Sequence, residues 1–351
     1  MSENSPEGHR SMPPAGYTGY DVVTGGAGFI GSHLVDRLLA DRRKVLVIDS
    51  MVVGRPANLA QHCDNPDLRV EIADVSDRAA MRDLIQGADR VFHLAARADI
   101  VPSIVAPDDY YRSNVEGTFV VCEAARAAGV RRLVYAASSS CYGDAPPTPT
   151  LETAPIDPRY PYALTKNLGE QIVLHWADIY RLPALALRFF NVYGPRARTA
   201  GTYGAVFGVF LAQLLAGKPL TVVGDGTQRR DFTFVTDIVS ALVAAAESER
   251  VGEVMNVGSG AAVSINRLVE LLGAKDVVHI PKRPGEPDIT FADITRIRDR
   301  LGWAPLVPIE AGVAAILEQI DYWRDAPVWT EAAIATATAD WFKYLGRPKQ
   351  L

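Results

Sequence analysis

The stretch "VTGGAGFIGSHL", residues 23–34, constrains the fold more than any other part of the chain. It follows a short apolar run, "YDVVTG", and it opens a segment whose apolar residues recur at helical spacing, "FIGSHLVDRLLA". Gly25, Gly28 and Gly31 give G-x-x-G-x-x-G, and Gly26, Gly28 and Gly31 also give G-x-G-x-x-G. Glycine permits a tight turn between a strand and a helix. It also lets backbone N–H groups at the helix N-terminus come close to an anion such as a pyrophosphate. A second strand, "KVLVIDS", ends in Asp49, at the interval expected for an acid that binds a ribose. The carboxylate would repel a 2′-phosphate, and no arginine follows before Arg55, so the pattern favours NAD over NADP.

The same alternation continues. "LRVEIADV", "RVFHLAA", "RRLVYAA" and "LPALALRFF" read as further strands, with helices expected at 76–86, 108–128 and 160–180. Pro161 stands near the first position of the last of these, where its missing N–H costs nothing. Strands and helices alternating at this spacing predict an α/β fold, a doubly wound parallel sheet with helices on both faces. After residue 195 glycine and proline become denser. Short helices are expected at 205–216, 264–272, 293–301 and 309–324, in a smaller, irregular C-terminal domain. The expected division is a disordered tail at 1–19, a dinucleotide-binding domain at 20–190 and a substrate domain at 191–351. "DIVSALVAAAES" and "EVMNVGSG", within 235–260, are expected to rejoin the main sheet.

Composition excludes several classes. The net charge is −5, from 36 basic and 41 acidic residues, and no long basic run marks a nucleic-acid surface. Three cysteines, Cys63, Cys122 and Cys141, lie far apart and suit neither a disulfide framework nor a zinc site, so no metal is expected. The polar first 19 residues lack an apolar signal core, and no apolar run is long enough to span a membrane. A cytoplasmic location is the expectation.

Two further stretches carry chemistry. "YALTK" puts Tyr162 and Lys166 four residues apart, on one helix face. An ammonium beside a phenol favours the phenolate, and such a pair can take a proton from a substrate hydroxyl as hydride leaves the same carbon. "SSSCYGD", 138–144, ends the strand upstream, and Ser138 is placed to share or relay that proton.

These motifs resemble the extended short-chain dehydrogenase/reductase family, the nucleotide-sugar epimerases and dehydratases with a Rossmann-type sheet. The likeness rests on "TGGAGFIG", "HLAA", "SNVEGT", "ASSSCYGD", "YALTK", "LRFFNVYGP" and "GDGTQRRDFTFVTD", and it runs from about residue 20 to 325. It implies that NAD is held by Gly25, Gly28, Phe29, Ile30, Gly31, Asp49, Ser50, Asp74, Val75, Leu94, Ala95, Ala96, Asn114, Tyr162 and Lys166. It makes Ser138, Tyr162 and Lys166 catalytic. It gives the substrate to Ser139, Ser140, Asn191, Arg230, Arg283 and Thr290, with the two arginines gripping a diphosphate. Dehydratases and decarboxylases of the family resemble one another in carrying acids where this chain has Ser139 and Ser140. Serine cannot replace a carboxylate as general acid–base. The likeness therefore implies 4-epimerisation of a UDP-sugar, best matched by UDP-N-acetylhexosamines, with UDP-glucose and UDP-galactose also accommodated. UDP-glucuronate epimerisation, a net-redox reductase or dehydrogenase, a dTDP-sugar 4,6-dehydratase and a non-catalytic dinucleotide sensor are the alternatives. The resemblance also implies a homodimer through helices 108–128 and 160–180, with Val115, Phe119, Leu168 and Ile172 as candidate contacts.

Overall fold

The computed structural model describes residues 19–197 and 204–346. The tail expected at 1–19 therefore lies, but for Gly19, outside the described residues. The chain opens with β1 (Tyr20–Thr24), α1 (Phe29–Ala40), β2 (Val45–Asp49), β3 (Leu68–Ile72), α2 (Arg78–Ile85) and β4 (Ala88–His93). Every residue of β1 and β2 is buried. Such unbroken burial belongs to a parallel sheet covered on both faces.

Next come α3 (Ile100–Val105), α4 (Pro107–Tyr110), a π-helical turn at Tyr111–Glu116, α5 (Gly117–Ala128), β5 (Arg132–Ser138), α6 (Pro161–Ile179) and β6 (Ala184–Phe189). Gly129, at φ 64°, stops α5 in the left-handed conformation that glycine adopts without cost. Pro161 starts α6 behind an extended Tyr160. The helix expected at 108–128 is thus present, but interrupted by the π-turn around Asn114.

The C-terminal part holds β7 (Asn191–Tyr193), α7 (Val206–Leu215), β8 (Leu220–Val223), β9 (Arg229–Arg230), β10 (Phe232–Phe234), α8 (Val235–Glu247), β11 (Val254–Val257), β12 (Val263–Ser264), α9 (Ile265–Leu271), β13 (Val277–Ile280), α10 (Thr295–Leu301) and α11 (Ile309–Leu317). Two more helices, α12 (Glu331–Ala337) and α13 (Ala339–Leu345), close the described chain. The single helix expected over 309–324 is instead two pieces, α11 and a 3₁₀ turn at Ile320–Trp323. The break brings Trp323, which is buried, into the C-terminal core.

Seven strands form the main sheet in the order β11-β6-β5-β4-β1-β2-β3. All the pairings are parallel, and β11 adds to the edge beside β6. One apolar cluster, with Leu34, Leu38, Val47 and Leu242, packs α1 and α8 on one face. Another, with Val22, Met81, Val121 and Val173, packs α2, α5 and α6 on the other. Each of these fully buried side chains contributes about 2 kcal/mol. The strand order reverses between β1 and β4, which opens a crevice at the carboxyl ends of the strands. Val115 is buried within its own chain, whereas Phe119, Leu168 and Ile172 keep part of their surface.

A buried polar chain ties α6 to the C-terminal part. Arg188 on β6 donates to both carboxylate oxygens of Glu170, at 2.8 and 2.5 Å, and to the Tyr142 hydroxyl at 2.8 Å. Tyr142 in turn donates to Asn256 Oδ1 at 2.7 Å. The Asn256 N–H donates to Glu152 at 2.9 Å. A buried guanidinium is tolerable only with this degree of pairing.

Candidate active site

A cleft of about 710 Å³ runs along the crevice and continues between the sheet and the C-terminal part. At one end it is lined by the glycine turn. Gly25 has φ +70°, and a Cβ there would lie 2.8 Å from the Ala95 nitrogen, so only glycine lets the β1 and β4 ends meet this closely. Gly28 caps α1, which aims the free N–H groups of its first turn into the cleft. Asp49, at the end of β2, accepts from the backbone N–H of Ala27 at 3.0 Å and of Met51 at 2.9 Å. Burial raises the Asp49 carboxyl above its ordinary value, while these two hydrogen bonds pull it back down. Ser50, Asp74, Val75, Leu94, Ala95 and Ala96, with Phe29, Ile30 and Gly31, complete this end. A backbone cradle at a helix N-terminus and an acid one strand away fit a dinucleotide pyrophosphate and ribose.

Behind this wall lies a buried histidine. Thr118 Oγ1 donates to the Asn114 carbonyl at 2.6 Å, so it must accept from His93 Nε2, 3.0 Å away. His93 Nδ1 then accepts from Thr24 Oγ1 at 2.8 Å, and Thr24 Oγ1 accepts from the Ala95 N–H at 3.2 Å. Burial holds the imidazole neutral, lowering it to about 3, and the Lys166 charge adds to this. The structure places Asn114 behind the cleft wall rather than in it. Its amide accepts from Arg97 N at 2.8 Å and donates to Arg97 O at 3.0 Å and to Thr165 at 3.1 Å. Saturated in this way, Asn114 shapes the 95–99 loop from behind.

At the middle of the cleft the Tyr162 hydroxyl donates to Ser138 Oγ at 3.3 Å. Ser138 Oγ lies 2.8 Å from Ser140 Oγ and accepts from the Ser140 N–H at 3.2 Å. Ser138 ends β5 and caps the short 3₁₀ turn Ser139–Tyr142, which is why a strand ends in a run of hydroxyls. Ser138, Ser139, Ser140 and Tyr162 all line the cleft. Burial raises the Tyr162 phenol, and the Ser138 bond lowers it. Lys166, one turn along α6, is buried with its ammonium 4.2 Å from the centre of the Tyr135 ring. Burial lowers its pKa to about 7, against the opposing pull of Glu170. The spacing puts both on one helix face, but only Tyr162 lines the cleft, half-buried, whereas Lys166 lies behind it, buried and outside the lining.

At the far end stand Asn191, Arg230, Arg283 and Thr290. Thr290 Oγ1 donates to Asn191 Oδ1 at 2.8 Å and accepts from the Asp231 N–H at 3.1 Å, so Thr290 and Asn191 form one unit. Arg230 and Arg283 both face Glu286, at 3.0 and 3.2 Å. No expected site residue marks Glu286, although it stands between Arg283 and Thr290 in the chain. Nor were Tyr160 and Trp341 expected, which line the same cleft. Trp341 lies beyond the stretch that resembles known enzymes, so no motif pointed to it. Among the described residues no cluster of His, Cys, Asp or Glu is placed to hold a metal ion, and no helix is long and apolar enough to cross a membrane.

The parallel sheet, the glycine cradle and the tyrosine of the cleft with a buried lysine one helical turn on define a nicotinamide-dinucleotide enzyme of the Rossmann class. The chain belongs to the NAD dependent epimerase/dehydratase family, whose model matches residues 22–258. A UDP-glucose 4-epimerase of Mycolicibacterium smegmatis is 38% identical over 304 residues, 85% of this chain and 97% of the relative. The solved UDP-N-acetylglucosamine 4-epimerase of Methanobrevibacter ruminantium, in complex with UDP-N-acetylmuramic acid, is 33% identical. That match covers 86% of this chain and 99% of the other, with a TM-score of 0.80. A UDP-glucuronic acid 4-epimerase of Bacillus cereus, solved with UDP-glucuronic acid and NAD, is 32% identical over 86% and 99% of the two chains, with a TM-score of 0.80. Dehydratases and decarboxylases of nucleotide sugars are also among the relatives. The protein is an enzyme of this family, and its cofactor is NAD.

Proposed function

We propose that the protein is an NAD-dependent 4-epimerase of UDP-sugars, acting on UDP-N-acetylglucosamine and its galacto epimer, and also on UDP-glucose and UDP-galactose. The observation that carries this reading is the chemistry beside Tyr162. Ser138, Ser139 and Ser140 line the cleft there, and hydroxyls cannot do the carboxylate work that dehydration or decarboxylation demands. What such a site does support is removal and return of the hydroxyl proton at one carbon. Held by the glycine cradle and Asp49, NAD would accept the hydride of that carbon and return it.

In this reading Tyr162 accepts the proton of the sugar hydroxyl, and Ser138 and Ser140 spread the proton over a hydroxyl chain. Lys166 stabilises the phenolate. Arg230 and Arg283 grip the diphosphate. Glu286 cancels one of their two charges, so the pair keeps a net positive charge for an anion. The Thr290–Asn191 unit walls the sugar, and a threonine there leaves more room than a large aromatic would. The homodimer expected from the resemblance would use α5 and α6, where Leu164 is exposed. A cytoplasmic location is part of the same proposal.

The test is incubation of the purified protein with UDP-, GDP- and dTDP-sugars, without added NAD, followed by product separation. Epimer pairs from UDP-N-acetylhexosamines are the expected result. Net oxidised or dehydrated product, or a requirement for stoichiometric NAD, would overturn the reading. The UDP-glucuronic acid bound to the Bacillus cereus relative makes a UDP-uronic acid the first competing substrate to include.

A further inference from the structure

The resemblance to known enzymes ends near residue 325, yet the chain continues into α12 and α13, and α13 returns Trp341 to the cleft lining. The match that takes in 97% of the mycobacterial relative uses only 85% of this chain, and the first 19 residues are too few to account for the difference. Helix α13 packs against α3, whose Ile100 and Val101 line the cleft. On the opposite side, the Trp341 indole N–H donates to the Pro284 carbonyl at 2.6 Å, and a Cβ added to Gly285 would touch Leu345 at 4.0 Å. The helix therefore bridges the two walls.

Trp341 is buried at the centre of this bridge. The Arg283 guanidinium lies 5.4 Å from its ring centre, and the Tyr160 ring lies 6.2 Å away. Tyr160 in turn runs nearly parallel to the Tyr162 ring, 6.4 Å away at 8°. Tyr160 and the indole thus form a row of rings from the proposed proton acceptor to one arm of the proposed diphosphate grip. A sugar that reaches both must run alongside that row. An aromatic of this size, fixed at one end by a hydrogen bond, with a guanidinium over its ring and the Tyr160 ring tilted against it, makes a rigid wall.

We propose that Trp341, carried by the C-terminal helix pair, is a specificity-determining residue that limits the size of the sugar substituents and steadies Arg283. The proposal rests on the nucleotide-sugar reading of the cleft. It assigns a role in the site to a segment that lies beyond the family resemblance.

Trp341→Ala should raise the ratio of kcat/KM for UDP-N-acetylglucosamine over UDP-glucose by about fivefold, because lost bulk favours the larger substituent. It should also weaken UDP binding, measured by calorimetry, about fivefold. Trp341→Phe keeps a ring and loses the N–H, so it should hold the ratio near wild type. Trp341→Leu serves if the alanine variant does not purify folded with NAD, and it should raise the ratio in the same direction. A ratio that stays within twofold of wild type, or falls, in a folded variant overturns the proposal. Should the wild type turn over neither sugar, the functional reading fails. The role of Trp341 is then decided by UDP affinity, and equal affinity in wild type and Trp341→Ala overturns it.

Discussion

The Tyr162 hydroxyl lies 3.3 Å from Ser138 Oγ, which in turn lies 2.8 Å from Ser140 Oγ, so the phenol ends a chain of three hydroxyls. Burial alone would leave that phenol a poor base, and the Ser138 bond is the contact that opposes it. Tyr162→Phe should lower kcat by about a thousandfold while bound NAD is retained. Ser138→Ala should cost about tenfold to a hundredfold. Because both act on one proton, the double variant should be hardly worse than Tyr162→Phe alone. Single-turnover rates check this, and fully additive losses would mean that the two groups act separately.

Arg230 and Arg283 share Glu286, and together they carry one more charge than it neutralises. Arg230→Ala and Arg283→Ala should each raise KM for a UDP-sugar by about tenfold or more, with a smaller change in kcat, since a diphosphate is held equally before and during reaction. NAD content should not change, because the cofactor cradle lies at the other end of the cleft. Steady-state kinetics with cofactor quantification decide it. An unchanged KM in both variants would place the diphosphate elsewhere.

Thr290 is both a wall and a hydrogen-bonding partner of Asn191. Bulk and bonding can be separated. Thr290→Val removes the hydroxyl at constant volume and should raise KM for every sugar by a similar factor. Thr290→Tyr adds bulk and should reduce kcat/KM for N-acetylated sugars about tenfold more than for plain hexoses. Equal losses for both sugar classes in Thr290→Tyr would reduce Thr290 to a hydrogen-bonding role.

His93 makes acid stability a further test. Its folded value, about 3, lies below the ordinary 6.5, so the unfolded chain takes up the proton first as pH falls. The stability from neutral His93 is full above pH 6.5 and is lost progressively between pH 6.5 and 3, at up to about 1.4 kcal/mol per pH unit. His93→Gln should lower stability at pH 7, through the lost Thr24 and Thr118 bonds, and it should flatten the decline between pH 7 and 5. Urea unfolding at several pH values measures both. A variant with the wild-type slope would assign the acid sensitivity to other groups.

Much of the architecture is written locally. Unbroken apolar strands such as "VLVID" demand cover on both faces, and that demand alone implies a parallel sheet between helices. Gly25 and Gly31 belong to a turn that only glycine fits, and Asp49, Tyr162 and Lys166 are placed by strand ends and helix spacing. Each of these follows from backbone geometry within a few residues. The return of β11 to the sheet also has a local signature, an apolar strand following an apolar helix.

Tertiary structure decided the rest, because the partners are far apart in the chain and no short pattern records them. Asn114 sits in a motif expected to touch the cofactor, yet the Arg97 backbone saturates its amide. Glu286 matters because two arginines from different segments converge on it. The break after α11 exists because Trp323 has a core to enter. Trp341 acquires its place only when α13 crosses from α3 to the 283–285 loop. A sequence states which side chains are apolar, charged or able to turn, whereas packing at a distance decides which of them share a cleft.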